Sequence, residues 1–426
     1  MKCLSVRLLT ASICLAFQNL PAASSDEWPM WRGPDTLGIS PSKGLPTSWS
    51  ATEGVAWKAI PPGKGASSPI VVGGRVVVTT QTSDTGLHVL AYASETGRLL
   101  WDREIAKGSL PAHNLHNMAT PTAAATASHI WALFGTGDLA CLTAEGAVVW
   151  QRNLVKEFGN YNTNHGMGSS PVLFNNRLYV ACMHQGPSYL LCIDPLTGKN
   201  HWKQDRNLKP KDESQDSYSS PLPVTTSFGP QIILAGAEAI NGYDPSSGRQ
   251  LWSIDDLKVP HPYGRTIAGP TAGGDHILFV ASGFQNQGFT MGVKLTAPGA
   301  AEKVWQLGKF SPDCPTPLIL DELVYLIRDD GMGSCVELKS GTPLWQERLF
   351  TANVKVSPVA GDGHIYLTSG QANTLVLRAG RQFHPLATNM LGEATLSTPA
   401  LAAGKVFLRT EAGLYAFKGQ AAPTPR

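Results

Sequence analysis

The chain has 426 residues, and its 43 Gly and 31 Pro amount to about 10% and 7%, against roughly 7% and 5% in average proteins. With 42% hydrophobic and 15% charged residues a large core can form, while breakers spread along the whole chain exclude coiled-coil, collagen and multi-span membrane classes. A formal charge of +2, from 34 basic and 32 acidic residues, gives no electrostatic basis for a nucleic-acid partner.

Lys2 and Arg7 precede an apolar run, Leu8 to Phe17, and the small residues Ala22, Ala23 and Ser24 come after it. This order predicts a secretory signal peptide over residues 1–24. The run is too short to span a bilayer, which takes about 20 apolar residues. Cys14 lies inside it after Ile13, which is not the context for lipid attachment. Export to the periplasm or the extracellular space is therefore expected. Lys2 and Arg7 carry the whole excess charge, so the remainder is neutral overall.

Residues 25–53 form a lead-in with Trp28, Trp31 and Trp49, side chains suited to pinning it onto a larger body. A repeat occupies the rest of the chain. A small-residue–Pro element recurs at Ser68, Thr120, Ser170, Ser220, Gly269, Thr316, Ser357 and Thr398, at intervals of 41 to 52 residues. After most of these Pro residues come two apolar runs split by a tight turn, as in IVVGGRVVVTT (70–80) and VLFNNRLYVAC (172–182). Gly-Gly, Asn-Asn and Asp-Gly suit the positive φ of hairpin turns. A third run and a Gly turn then lead to an aromatic: Trp101, Trp150, Trp202, Trp252, Trp305 and Trp345, with Phe383 in a degenerate copy.

Four strands repeated every 40–50 residues make the blade of a β-propeller. The eighth copy (397–418) stops after three strands, and a lone Trp57 strand precedes the first copy. The expectation is an all-β, eight-bladed propeller over residues 54–418, its ring closed by strands from both ends, with residues 419–426 as a tail. The recurring Trp residues (57, 101, 150, 202, 252, 305 and 345) are read as packing between blades, not as ligand platforms. Cys141, Cys192 and Cys335 share a third-strand position where Tyr92 and Tyr243 stand in other copies, which also reads as packing. Cys182 and Cys192 flank a loop near Pro187; buried free thiols are expected, and a disulfide between them stays open.

Function is expected on the loops entering the inner strands, which gather at one mouth of the channel. Those entering blades 2 to 5 are long and polar, and the loops before blades 1, 6 and 7 are shorter. The candidate ligand-binding residues are His113, His116, Asn164, His165, Asp216, Arg265 and Lys355. The three His with Asp216 offer metal-ligand types, but a loop-borne H-x-x-H is a weak signal, so no metal site is assigned. No catalytic residue is assigned either: there is no G-x-S-x-G, no H-E-x-x-H and no C-x-x-C.

The copies Asp194-Pro-Leu-Thr-Gly198-Lys-Asn-His-Trp202 and Asp244-Pro-Ser-Ser-Gly248-Arg-Gln-Leu-Trp252 resemble the pyrroloquinoline-quinone repeat family. The start, WPMWRGP (28–34) with LPTSW (45–49), is similar to exported propellers of that type. The family's blades serve quinoprotein alcohol dehydrogenases and the non-enzymatic propeller of the outer-membrane protein assembly complex. The dehydrogenase side of the resemblance implies a quinone held by cations such as Arg265 and Lys355. It also implies calcium held by residues of the kind of Glu157, Asn164, Asp216 and Asp313. The adjacent Cys pair that often accompanies the quinone is absent here, as is the lipid-attachment motif of the assembly propeller. The sequence thus favours a monomeric, non-catalytic exported propeller binding a protein, peptide or glycan. The alternative is a quinone- and calcium-dependent dehydrogenase oxidising an alcohol or sugar.

Overall fold

The paired apolar runs fold as hairpins because their turn residues reach positive φ. Ile70–Val72 turns through Gly73 and Gly74 (φ 54° and 73°) into Arg75–Gln81, and Val172–Phe174 turns through Asn175 and Asn176 (φ 49° and 56°) into Arg177–Cys182. Two further antiparallel strands complete each sheet. The computed structural model describes residues 26–259, 261–282 and 287–419; the signal-peptide reading and the tail beyond residue 419 lie outside them.

Eight sheets succeed one another, at 70–107, 124–153, 172–205, 222–254, 271–307, 318–348, 359–389 and 400–418. They form the blades of a propeller. The last blade takes its outer strand, Val55–Ala59, from the other end of the chain, with Trp57 opposite Ala416, so the ring closes as expected. Closure leaves no sheet stranded at the end of an open array.

A belt of hydrogen bonds joins the blades around the channel. The backbone N–H of each small residue donates to the hydroxyl of its counterpart in the next blade. The links run Ser68 to Thr122, Thr122 to Ser170, Ser170 to Ser220, Gly269 to Thr316, Thr316 to Ser357, Ser357 to Thr398 and Thr398 to Ser68, at 2.8–3.3 Å. Blade 2 departs from the sequence reading: Thr122, not Thr120, holds the belt position. Its strand starts only at Ala124, so the element is shifted by two residues. Gly269 has no hydroxyl to receive the link from Ser220. A side chain there would meet Trp31, whose ring lies 3.3 Å from the place of its Cβ.

Outer-strand indoles lock each blade to the next. Trp57, Trp101, Trp150, Trp202 and Trp305 donate through Nε1 to Ser94, Ala144, Pro195, Pro245 and Leu338 carbonyls, at 2.7–3.2 Å. Each ring covers the turn glycine of the next blade; a Cβ on Gly198 would sit 2.7 Å from Trp150. Trp252 and Trp345 depart from this pattern. Trp252 donates to Gln231 Oε1 of its own blade, and Trp345 packs between Tyr325 and Phe383. In blade 7 the residue in register with the Trp position is Ala387, not Phe383.

Cys141, Cys192 and Cys335 lie opposite Trp150, Trp202 and Trp345, and all three are buried free thiols. Their counterparts in blades 1 and 4 are Ala91 and Gly242; Tyr92 and Tyr243 lie one residue beyond, across the bulge. Cys182 pairs with Tyr189 and Cys192 with Tyr179, so the two thiols do not face each other and stay free.

The lead-in runs inside the ring. Trp28 bridges Val71 of blade 1, Pro29 O accepts Ala125 N of blade 2, and Ile39–Ser40 pairs in parallel with Val359–Gly361 of blade 7. Between these anchors Arg32, wholly buried, donates to the Leu37, Thr316, Pro317 and Pro358 carbonyls. Burial pushes its guanidinium down to about 9, and four carbonyl partners stand in for water. Residues 28–40 thereby cross the bore, and the channel has a floor.

Candidate functional site

Above that floor the mouth holds a pit of about 340 Å³, at the small end of the roughly 300–1,000 Å³ usual for small-molecule sites. Trp31 lies at its base. Ser68, Thr122, Ser170, Ser220, Thr316, Ser357 and Thr398 of the belt wall it. The entry loops supply its rim: His113, His116, His165, Tyr218, Arg265, Asp313, Cys314, Lys355 and Leu396.

Five of the seven sequence candidates therefore meet here. Asn164 and Asp216 do not line the pit. The Asp216 carboxylate is 0% exposed, accepting from Asn164 N (2.8 Å) and Tyr218 Oη (3.1 Å). Burial pushes its pKa up. It is a post behind the wall, tying two loops together. Asn164 donates through Nδ2 to Glu213 at 3.2 Å.

The rim cations are not free. Arg265 Nη1 lies 3.1 Å from Glu213, which also meets His165 Nε2 at 3.0 Å. Lys355 pairs with Asp329, and its Nζ is 3.4 Å from Cys314 Sγ. Burial alone would push Lys355 down; its neighbours outweigh that and hold it above the ordinary lysine value. Burial and two carboxylates keep the Cys314 thiol protonated, so Asp329 is the partner that holds the ammonium charged. Asp329 also caps the short blade 6 loop, accepting from Asp313 N and Cys314 N. Burial, with Asp329 close by, raises the Asp313 carboxyl.

The imidazoles are fixed by their loops. His113 stands edge-on to His165, ring centres 5.3 Å apart, and the two loops join through His113 N and His165 O. His116 Nδ1 lies 2.9 Å from Asn117 O and 2.7 Å from Thr120 Oγ1. A carbonyl only accepts, so Nδ1 carries the proton. Burial pushes this imidazole down to about 4, so at neutral pH its Nε2 is a bare acceptor. That Nε2 is buried without a partner, as are Asp313 Oδ1 and Arg265 Nε.

Sequence reasoning missed Glu213, Asp329, Cys314 and Trp31 as parts of the site. Cys314 comes from a short loop, while length and polarity single out the long ones. Trp31 belongs to the lead-in, and no local pattern places it in the bore.

The quinone and calcium implied by the resemblance do not fit this residue set. Calcium takes six to eight hard oxygen ligands. The tightest donor group among the described residues is Asp313, Cys314 and Asp329, which includes a thiol and already holds the Lys355 ammonium. Arg265 and Lys355, the cations for the quinone's carboxylates, are neutralised within the protein.

Together these features define a closed eight-bladed propeller with a polar, ligand-sized pit at one mouth. The family model described as outer membrane protein assembly factor BamB matches residues 40–209 and 236–421, and the chain belongs to that family. Among solved structures it is similar to BamB from Moraxella catarrhalis, with 13% identity and a TM-score of 0.57 over 80% of this chain and 95% of that one. It is similar also to the quinohemoprotein alcohol dehydrogenase of Comamonas testosteroni, at 12% identity and a TM-score of 0.65, covering 95% and 82%. A third is the computationally designed Ika8 protein, at 10% identity and a TM-score of 0.57, covering 88% and 99%. At such identities the likeness is one of fold. No curated protein matches the chain significantly in sequence. No helix among the described residues is long and apolar enough to cross a membrane.

Proposed function

We propose that this protein is an exported, non-catalytic binding propeller that takes a group of its partner, a glycan or a peptide, into the mouth pit. The observation that carries this reading is the floored, hydroxyl-walled pit whose cations are compensated internally. Such a site offers hydrogen bonds and surface to a ligand but no group activated for chemistry. The belt hydroxyls are engaged between blades, and Thr120 faces a protonated Nδ1 that cannot take its proton. Family membership supports a binding role, since the family's description is that of an assembly factor. The order of residues 1–24 supports export.

The test is thermal shift and calorimetry with neutral saccharides, short peptides, and the quinone with calcium, on the native protein and on Gly168→Leu. Gly168 lines the pit, and a Cβ there meets only ordinary contacts, at 3.7 Å, so the variant fills the pit without disturbing the belt. The expected result is saturable binding of a saccharide or peptide that G168L abolishes. Quinone binding with dye-linked oxidation of alcohols would overturn the reading.

A further inference from the structure

The pit is not the end of the concavity. A second cleft of about 180 Å³ adjoins it over the seam between blades 8 and 1, and the two share Ala66, Leu115, His116 and Leu396 as common walls. His116 stands at the passage between them. Resting on the binding role given above, we infer that the ligand is the end of a neutral oligosaccharide, one unit in the pit and the next units running past His116 into the cleft.

Three features select this class. A pit floored by Trp31 admits only an end or a protruding group, because nothing can thread through the bore. Peptide ends carry a full charge, amine or carboxylate, and burying one needs a countercharge. The cations facing this pit are already spent, Arg265 on Glu213 and Lys355 on Asp329, and burial pushes the Asp313 carboxyl toward its neutral form. The end of a neutral sugar chain has no charge and many hydroxyls. Its hydroxyls can accept from those of Ser170 and Ser220, which line the pit and serve only as acceptors in the belt. The indole at the base suits the C–H face of a pyranose ring, apolar surface against apolar surface. The cleft explains why more than one unit is read: a lone small molecule would leave it empty.

The probes are cello-, chito-, xylo- and malto-oligosaccharides of one to four units, with a galacturonic-acid tetramer and neutral tetrapeptides as the competing chemistries. Tryptophan fluorescence and calorimetry read the binding. A neutral series is expected to bind, with affinity rising at least about tenfold between one and three units, a gain of roughly 1.4 kcal/mol. Binding is expected to be insensitive to salt, because no ligand charge is engaged. Leu396→Trp narrows the passage and removes the gain with length while sparing the single unit. His116→Phe reshapes the same passage and is expected to reduce the gain with length; L396W probes it should H116F fold poorly. G168L abolishes all binding.

Tighter binding of the acidic tetramer or of a peptide, still lost in G168L, overturns the neutral-saccharide inference and leaves the pit as the site. Failure of every neutral saccharide to bind overturns it as well. Binding that G168L leaves intact overturns the pit reading itself.

Discussion

Single residues at the mouth show how burial sets protonation. His184 is 3% exposed; its Nδ1 accepts from Asn162 N and Gly186 N, each at 3.2 Å, and so ties the 161–166 loop to blade 3. Burial pushes its pKa down to about 4. In the unfolded chain it protonates near its ordinary 6.5, while the folded protein refuses the proton until about 4. The unfolded state therefore gains protons first, and stability falls as pH drops from about 6.5 to about 4, by roughly 1–3 kcal/mol, then levels off. Asp216 and Asp313, raised by burial, act in the opposite sense. The readout is thus the difference between proteins: His184→Asn, which keeps an acceptor for Asn162, is expected to lose less stability than the native protein between pH 7 and pH 4.5. Urea midpoints measure it, and parallel losses would refute the assignment.

At the level of elements, the hairpins and the outer Trp strands were legible because their chemistry is local. A positive-φ pair marks a turn, and a turn glycine is required where the indole of the preceding blade sits on it. What was not legible is register. Thr120-Pro121 has the look of the repeat, yet Thr122 takes the belt position, since the inner strand of blade 2 is only Ala124–Ala125. The difference is testable. Thr122→Val leaves the buried Ser68 N–H without its acceptor and is expected to cost about 1–3 kcal/mol in chemical denaturation. Thr120→Val removes a partner of His116 but no belt link, and is expected to cost less. The bulge in the outer pairing likewise shifts Phe383 off the Trp site, where Ala387 stands. Bulges insert single residues that a repeat read from sequence alone cannot locate.

Across the whole molecule, the count of eight blades and the closure by both chain ends could be read from the sequence, because an incomplete last copy and a lone Trp strand complement each other. The route of residues 28–40 through the bore could not, since no local pattern marks a segment whose partners lie far along the chain, in blades 1, 2, 6 and 7. That route makes the N-terminal part structural twice over: it supplies the outer strand of blade 8 and the partners of the inner strands. A chain starting at Gly65 is expected to lose its single cooperative unfolding transition and to associate through the opened sheets, as seen by circular dichroism and gel filtration. A cooperative monomeric transition would show that the ring closes without it. The floor at Trp31 has a further consequence, for stoichiometry. If the ligand enters by its ends, the protein counts chains and not mass: when a polymer is cut once, the number of places where this molecule can sit rises while the amount of polymer stays the same. Occupancy would then track the degree of fragmentation of whatever it binds.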